Sequence, residues 1–185
     1  VPATRKACRA LHGEHPELAH AGLLELVDEA WSRGIFELRM AAVELLELYA
    51  DRLTPRDVPA IERMIRESGT WALVDGLAAS VTGGLVDRFP DALHPTLERW
   101  AGDDDFWVRR ASLLAYLLGL RSGEGHFERF TALADPMLEE TEFFIRKAIG
   151  WVLREAGKKR PDRVAAWLEP RVRRASGLTV REVPV

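Results

Sequence analysis

The sequence lacks several features that define large classes of proteins, and each absence narrows what the chain can be. Its 185 residues include one cysteine, Cys8, which cannot form a disulfide within the chain, and no basic leader with an apolar centre precedes it. We therefore expect a reducing, cytoplasmic environment. Charged residues or glycines interrupt every hydrophobic stretch before it reaches the roughly 20 residues that a membrane-spanning helix needs. The sequence also has no glycine-rich phosphate loop and no nucleophile elbow, so it gives no support for nucleotide hydrolysis or acyl transfer.

What is present is the composition and spacing of a folded helical domain. Apolar residues make up 47% and charged residues 30% of the chain, which supplies enough apolar surface to offset chain entropy. Apolar residues recur at intervals of three and four, as at Leu38, Ala41, Ala42 and Leu45, without sustained alternation. That spacing is typical of amphipathic helices. We predict a single all-α domain over residues 1–185.

One short pattern recurs and divides the chain into units. It reads Phe, any residue, a branched apolar residue, Arg, any residue, Ala, and it begins at Phe36, Phe106 and Phe143. A related segment begins at Trp71 but has Val74 in place of the arginine. The spacings of 35, 35 and 37 residues suit two helices per unit. We predict an α-α superhelix of HEAT-like repeats, with the second helices side by side on a concave face.

The repeat places chemically active residues on one stripe of that concave face. Its members are Met40, Asp75, Arg110 and Lys147 at equivalent positions, with Trp71 and Trp151 one helical turn away. Residues four apart on a helix share a face. A carboxylate, two cations and two indoles on a concave surface suit a DNA duplex that carries a positively charged, damaged base.

Each of these side chains has a separable expected role. Arg110 and Lys147 would bind phosphates, and the indoles of Trp71 and Trp151 would face the sugar or the base. Asp75 would be catalytic, because a carboxylate stabilises the positive charge that builds on the sugar as a glycosidic bond breaks and orients the attacking water. An alkylated purine is already a good leaving group, so we predict no metal and no cofactor.

The charge of the chain is unevenly distributed. From Arg146 onward there are 11 basic and 4 acidic residues, which leaves 15 basic and 25 acidic residues before it. A polyanion therefore has a basic end to approach. Lys158 and Lys159 belong to that end, and two interpretations stay open for them, since cations also stabilise the C-terminal end of a helix.

At these residues the chain resembles the bacterial DNA alkylation repair family of AlkD type, the HEAT-like alkylpurine DNA glycosylases. The resemblance is carried by 142–155, EFFIRKAIGWVLRE, by the Trp107-Val-Arg-Arg110-Ala run, by Trp71-Ala-Leu-Val-Asp75, and by 176–182. It implies base excision of cationic lesions such as 3-methyladenine and 7-methylguanine from double-stranded DNA, at the bacterial nucleoid, without flipping the base into a pocket. Matching motif positions imply Asp75 as the catalytic carboxylate, with Trp71, Arg110 and Trp151 around it.

The chain also departs from that family. Ala72 stands where the family often has a second acid, and the family usually has further helices before the position of Val1. We expect the protein to act as a monomer, away from membranes. Two other functions stay open: a non-catalytic DNA-binding member of the family, and a scaffold that binds other proteins.

Simpler structural interpretations compete with the functional ones at several positions. Trp71 occupies a repeat position that is otherwise Phe, which favours the core on pattern alone. Asp75 and Arg110 could form a purely structural ion pair. Three arginines at one repeat position indicate bracing between repeats; they are Arg39, Arg109 and Arg146. Cys8, His12 and His15 share a helical face, but without a fourth ligand we interpret this as coincidence.

Overall fold

Helices joined by short connections make up the described part of the chain, residues 2–123 and 125–183 of a computed structural model. The first helices are α1 (Pro2–Glu14), α2 (His20–Ser32), α3 (Phe36–Leu48), α4 (Val58–Ser68) and α5 (Trp71–Asp75). A π-helical segment (Gly76–Thr82) joins α5 to α6 (Gly83–Arg88) without a break. The remaining helices are α7 (Pro90–Ala101), α8 (Phe106–Leu114), α9 (Leu117–Ser122), α10 (Phe127–Met137), α11 (Phe143–Gly157), α12 (Pro161–Leu168) and α13 (Gly177–Glu182). Short 3₁₀ turns lie at Ala50–Arg52, Pro55–Asp57 and Glu169–Arg171.

These helices form two layers. The inner layer contains six successive elements, and each packs against the next. In order they are α1; α3; α5 with the π-helical segment and α6; α8 with α9; α11; and α13. The outer layer consists of α2, α4, α7, α10 and α12, and ion pairs join its members. These pairs are Arg63 with Asp28, Arg99 with Glu62, Arg129 with Asp91, and Arg163 with Glu128. Partners 35 to 38 residues apart in sequence follow the repeat, so the prediction of an all-α helical-repeat superhelix is confirmed.

The second helix of each unit begins at the first residue of the recurring pattern. Phe36, Trp71, Phe106 and Phe143 are the first residues of α3, α5, α8 and α11. In three of these helices the preceding side chain accepts a hydrogen bond from the second helical amide; the capping residues are Thr70, Asp105 and Glu142. Such N-caps satisfy amides that have no partner within the helix. The recurring sequence pattern therefore marks a recurring helix start.

Two of the three arginines of the repeat pattern hold consecutive units together. Arg39 donates to the carbonyl of Glu67 in α4 at 2.8 Å. Arg109 donates to the Glu140 carboxylate at 3.0 Å, and Arg146 donates to the Glu140 carbonyl at 2.7 Å. Arg39 and Arg109 therefore contact the next unit, as predicted, whereas the contact of Arg146 lies within its own unit. That none of the three belongs to the site stays a prediction.

Aromatic side chains fill the space between the layers, and the cysteine lies in the same core. Trp31 and Trp100 are fully buried. Cys8 is buried with its thiol donating to the Ala41 carbonyl at 3.8 Å, and the ring of His12 packs edge-on against another aromatic ring. Over residues 2–123 and 125–183, no three metal-ligating side chains are grouped as a metal ion would require. No helix in this part of the chain combines the length and the apolar character needed to cross a membrane.

Candidate functional site

Asp75 lies where the inner helix of its unit changes its winding. Gly69 ends α4 with a φ of +61°, a left-handed conformation that favours glycine, and Thr70 then caps α5. Asp75 is the last residue of α5, and the backbone continues as the π-helical segment. Within that segment the buried hydroxyl of Thr82 donates to the carbonyl five residues earlier, at 2.8 Å. Insertions of π-helical winding frequently mark functional sites.

Gly76 allows the inner helices α3 and α5 to approach closely beside Asp75. A Cβ atom at Gly76 would lie 2.6 Å from Cγ1 of Val43 and 3.3 Å from Oε1 of Glu47. The first distance is well below van der Waals contact, and Val43 is a buried, β-branched side chain with little freedom to move. The two helices can therefore adopt this spacing only with glycine at position 76.

Asp75 and Arg110 form a bidentate ion pair between adjacent units. Arg110 donates from Nε and NH2 to the two carboxylate oxygens of Asp75 at 2.8 and 2.9 Å, and from NH1 to the carbonyl of Phe144 at 2.6 Å. The Arg110 side chain is 3% exposed, but Asp75 is 17% exposed. The arginine thus fixes the carboxylate from behind and leaves part of it open to the surface.

The open side of Asp75 faces a cleft of about 290 Å³. Arg5 of α1 and Trp151 of α11 both line it, although the helices of three units lie between α1 and α11 in the order of the inner layer. One small cleft can contact both only because the layer curves around it. The other side chains that matter for its chemistry are Glu44 and Glu47 of α3, Ser80 of the π-helical segment and Arg121 of α9.

The two predicted tryptophans occupy different places around this cleft. Trp151 lines the cleft with Asp75 and packs partly against the core. Trp71 lies one turn before Asp75 on the same helix and is 56% exposed. The interpretation of Trp71 as a core residue is therefore wrong, because more than half of its surface is exposed. Ala72, which stands where the resemblance implies an acid, also lines the cleft.

Arg110, the predicted phosphate ligand, has a buried side chain. Its three guanidinium nitrogens are occupied by Asp75 and Phe144, and its side chain is buried. Two of its five N–H groups take no part in these hydrogen bonds, and the phosphate contact stays a prediction. The ion pair that competed with the phosphate role is what the structure contains, since the repeat places Asp75 and Arg110 in the same register on neighbouring helices.

The predicted lysines lie at the C-terminal side of the inner layer. Lys147 forms an ion pair with Glu182 of α13, and Lys158 contacts Glu155 at 2.7 Å. Lys158 remains 59% exposed on its side chain, and Lys159 is exposed. These positions leave room for phosphate contacts, which stay predictions.

Several side chains of the cleft were missed by sequence reasoning. Arg5 comes from α1, before the first repeat instance, and Arg121 comes from α9, outside the recurring pattern. Glu47 lies eleven residues after Phe36. It is therefore outside the six-residue pattern from which the equivalent positions on the concave face were identified. The one available signal was helical spacing, because Met40, Glu44 and Glu47 follow one another at four and three residues along α3.

This fold and geometry define a helical-repeat protein whose concave face carries an arginine-held carboxylate in an aromatic-lined cleft. The chain belongs to the DNA alkylation repair enzyme family, whose sequence model matches residues 1–183. The fold is similar to that of a solved structure described as a predicted DNA alkylation repair enzyme from Enterococcus faecalis, with a TM-score of 0.84 at 24% identity over 98% of this chain and 83% of the other. It also resembles smu.31 from Streptococcus mutans UA159, with a TM-score of 0.68 at 18% identity over 91% of this chain and 82% of the other. No curated protein gives a significant match.

Proposed function

We propose that the protein is a DNA glycosylase that hydrolyses the N-glycosidic bond of cationic alkylated purines, such as 3-methyladenine and 7-methylguanine, in double-stranded DNA. The observation that carries this proposal is the Asp75 carboxylate, held rigidly by Arg110 and open to a cleft that Trp151 also lines. Family membership supports a role in alkylation repair. The reaction class follows from the chemistry available in the cleft.

The reaction requires little beyond a fixed negative charge. As the bond between C1′ and the base nitrogen breaks, its electron pair neutralises the positive charge of the alkylated base, and positive charge develops on the sugar. Asp75 stabilises that charge and orients a water molecule, whose oxygen bonds to C1′ while its proton passes to solvent. A carboxylate that is already fixed needs no reorganisation as the charge appears.

Arg110 acts in this scheme as a positioning residue. Its two hydrogen bonds set the orientation of the Asp75 carboxylate, and its contact with the Phe144 carbonyl ties that orientation to α11. Because α11 also carries Trp151, the same contact relates the carboxylate to the indole across the cleft. In this proposal Trp71 and Trp151 contact the sugar or the damaged base through their ring faces.

Basic side chains on both sides of the cleft are proposed to bind the DNA backbone. Lys147, Lys158 and Lys159 lie on the C-terminal side. On the other side, α1 presents Arg5, Lys6 and Arg9 around a shared depression. Cations on both sides of an acidic cleft suit a duplex whose phosphates flank a positively charged lesion. The protein is proposed to do this as a single-domain monomer at the nucleoid.

The test is base release from methylated duplex DNA by wild-type protein, Asp75→Asn and a matched control, Asp28→Asn. Asp28 lies on the outer layer with 65% of its side chain exposed and pairs with Arg63. Free methylpurines are quantified by chromatography under single-turnover conditions. We expect Asp75→Asn to release them roughly 10² to 10³ times more slowly, and Asp28→Asn to match the wild type.

The remaining outcomes separate the alternatives. Equal release by wild type and Asp75→Asn would contradict the catalytic role of Asp75. Binding that weakens steeply with salt but gives no release would favour a non-catalytic DNA-binding protein. Absence of both binding and release would favour a protein scaffold.

A further inference from the structure

Glu47 is a second carboxyl group in the cleft that holds Asp75. It lies on α3 and lines the cleft together with Asp75 and Trp151. Its Oε1 atom is 3.3 Å from the Cβ position at Gly76, the residue that follows Asp75. The close approach at Gly76 therefore brings this carboxyl group beside the end of α5.

The carboxyl groups around the cleft differ in how their charge is compensated. Asp75 is paired with Arg110 at 2.8 Å, and Glu44 is paired with Arg5 at 3.1 Å. For Glu47, no ion pair with a lysine, arginine or histidine occurs among residues 2–123 and 125–183. Its hydrogen-bonding neighbour is the Ser80 hydroxyl, which carries no charge.

The surroundings of Glu47 disfavour its charged form when the cleft is empty. Burial raises the pKa of Glu47 above its ordinary value, and the nearby charge of Glu44 raises it further. The hydrogen bond from Ser80 and the charge of Arg5 act in the opposite direction without cancelling the increase. A cation that enters the cleft supplies the missing compensation, because an opposite charge within a few ångströms favours the ionised carboxylate.

We propose that Glu47 recognises the positive charge of the alkylated base and so selects cationic lesions over uncharged bases of the same shape. This inference rests on the proposed glycosylase function. The two carboxylates divide the work: Asp75, already neutralised by Arg110, acts on the sugar, and Glu47 interacts with the charge of the base. Specificity then arises from a carboxylate that forms no ion pair with the described residues and can form one with the cationic base.

The test compares binding of two duplexes that differ in the charge of one base. One contains 7-methylguanine, a cationic lesion, on a 2′-fluoro-2′-deoxyribose that makes the glycosidic bond resist cleavage, and the other contains 7-deaza-7-methylguanine, a neutral base of the same shape, on the same fluorinated sugar. The measured quantity is the ratio of the two dissociation constants. A glutamine keeps the size of the side chain and its hydrogen bond with Ser80 but removes the charge, so Glu47→Gln is the informative variant.

We expect the wild type to prefer the cationic duplex and Glu47→Gln to lose about tenfold of that preference, with unchanged affinity for the neutral duplex. The matched control is Glu37→Gln, at an exposed position near the start of the same helix and outside the cleft. It should retain the wild-type ratio. Thermal unfolding of both variants checks that the fold is preserved.

The pH dependence of the ratio provides a second readout. Groups facing Glu47 are Glu44 on its own helix, Arg5 from α1, Asp75 from α5 and Arg121 from α9. Because burial raises its pKa, Glu47 takes up a proton at a higher pH than an ordinary glutamate does. The wild-type preference should therefore decrease toward acid pH, and that of Glu47→Gln should stay flat.

Failure of this inference is distinguishable from failure of the proposed function. The inference is overturned if Glu47→Gln keeps the wild-type ratio, or if the wild type has no preference for the cationic duplex. The proposed function is tested separately, by release of methylpurines from cleavable DNA. A wild type that releases bases while Glu47→Gln discriminates normally would overturn only the role of Glu47.

Discussion

The inner helices of this protein divide into regular units and one unit that departs from them. In the regular units α3, α8 and α11 carry an arginine followed two residues later by alanine; the pairs are Arg39 with Ala41, Arg109 with Ala111, and Arg146 with Ala148. In the unit of α5 these positions are Val74 and Gly76. Val74 is fully buried and makes no bracing contact with a loop, since it has no polar side-chain atom.

The departing unit is also the one that forms the cleft. Gly76 lets its helix lie close to α3, the helix then widens into the π-helical segment, and Asp75 pairs across to α8 through Arg110. In the regular units the contacts between repeats join Arg39 to the Glu67 carbonyl in α4, and Arg109 to the Glu140 carboxylate just after α10. Real proteins depart from their own structural rules mainly at functional sites. Here the irregular unit carries the Asp75 carboxylate, and Arg110 of the neighbouring regular unit fixes its orientation.

The largest effect that separates the two kinds of unit is expected for Arg110→Ala. Removing one partner of a buried ion pair costs about 3 to 5 kcal/mol in the free energy of unfolding, because the other charge is left without compensation. The variant also loses the donor to the Phe144 carbonyl and the orientation of Asp75, so base release should fall as well. Denaturant unfolding and single-turnover base release measure the two effects.

A double-mutant cycle gives the control for Arg110→Ala. In Asp75→Asn/Arg110→Ala no isolated charge remains, so the double variant should be more stable than the sum of the single losses predicts. Additive losses would mean that the two side chains act independently. The Asp75–Arg110 ion pair would then not be what distinguishes the α5 unit from the regular units.

The regular part of the molecule was largely predictable from the sequence. The recurring aromatic residue is the first residue of four inner helices, and three of these starts also have a side-chain N-cap. Recurrence of arginine gave the bracing contacts, since equivalent positions in stacked units meet equivalent neighbours. The register of Asp75 with Arg110 follows from the same logic, and their contact was anticipated as an alternative.

The irregular part was less predictable, for physical reasons. A π-helical segment leaves no residue signature comparable to an N-cap, and the need for Gly76 depends on how closely Val43 approaches from another helix. Glu47 has an ordinary position on an amphipathic helix, and its missing cation is evident only when its neighbours in space are known. The family resemblance did predict that Trp71 would lie near the site, against the core position that its repeat slot favoured.

A smaller effect is expected when the irregular unit is given the alanine of the regular units, in Gly76→Ala. The new methyl group would overlap Val43, which costs about 1 to 3 kcal/mol by overpacking, and the gain in helix propensity offsets roughly 1 kcal/mol of that. The net result is a modest loss of stability, measured by thermal unfolding. Displacement of Glu47 should also lower the preference for cationic lesions.

Gly84→Ala is the matched control, since a Cβ atom at Gly84 in α6 meets nothing within 4 Å. It should stabilise the protein by roughly 0.5 to 1 kcal/mol, the ordinary advantage of alanine over glycine in a helix. If Gly76→Ala stabilised the protein as much as Gly84→Ala, the close approach of α3 and α5 would not constrain position 76.

The smallest effect is expected in a regular unit, for Arg39→Ala. Its guanidinium donates to the Glu67 carbonyl at 2.8 Å and lies 4.9 Å from the centre of the Trp31 ring. Both contacts are near the surface, so the loss should be about 1 kcal/mol in the free energy of unfolding. Base release, measured well below the unfolding temperature, should equal that of the wild type, because Arg39 does not line the cleft. An Arg39→Ala variant that kept its stability but lost base release would place function in the regular units too, and the division between bracing and catalytic units would no longer hold.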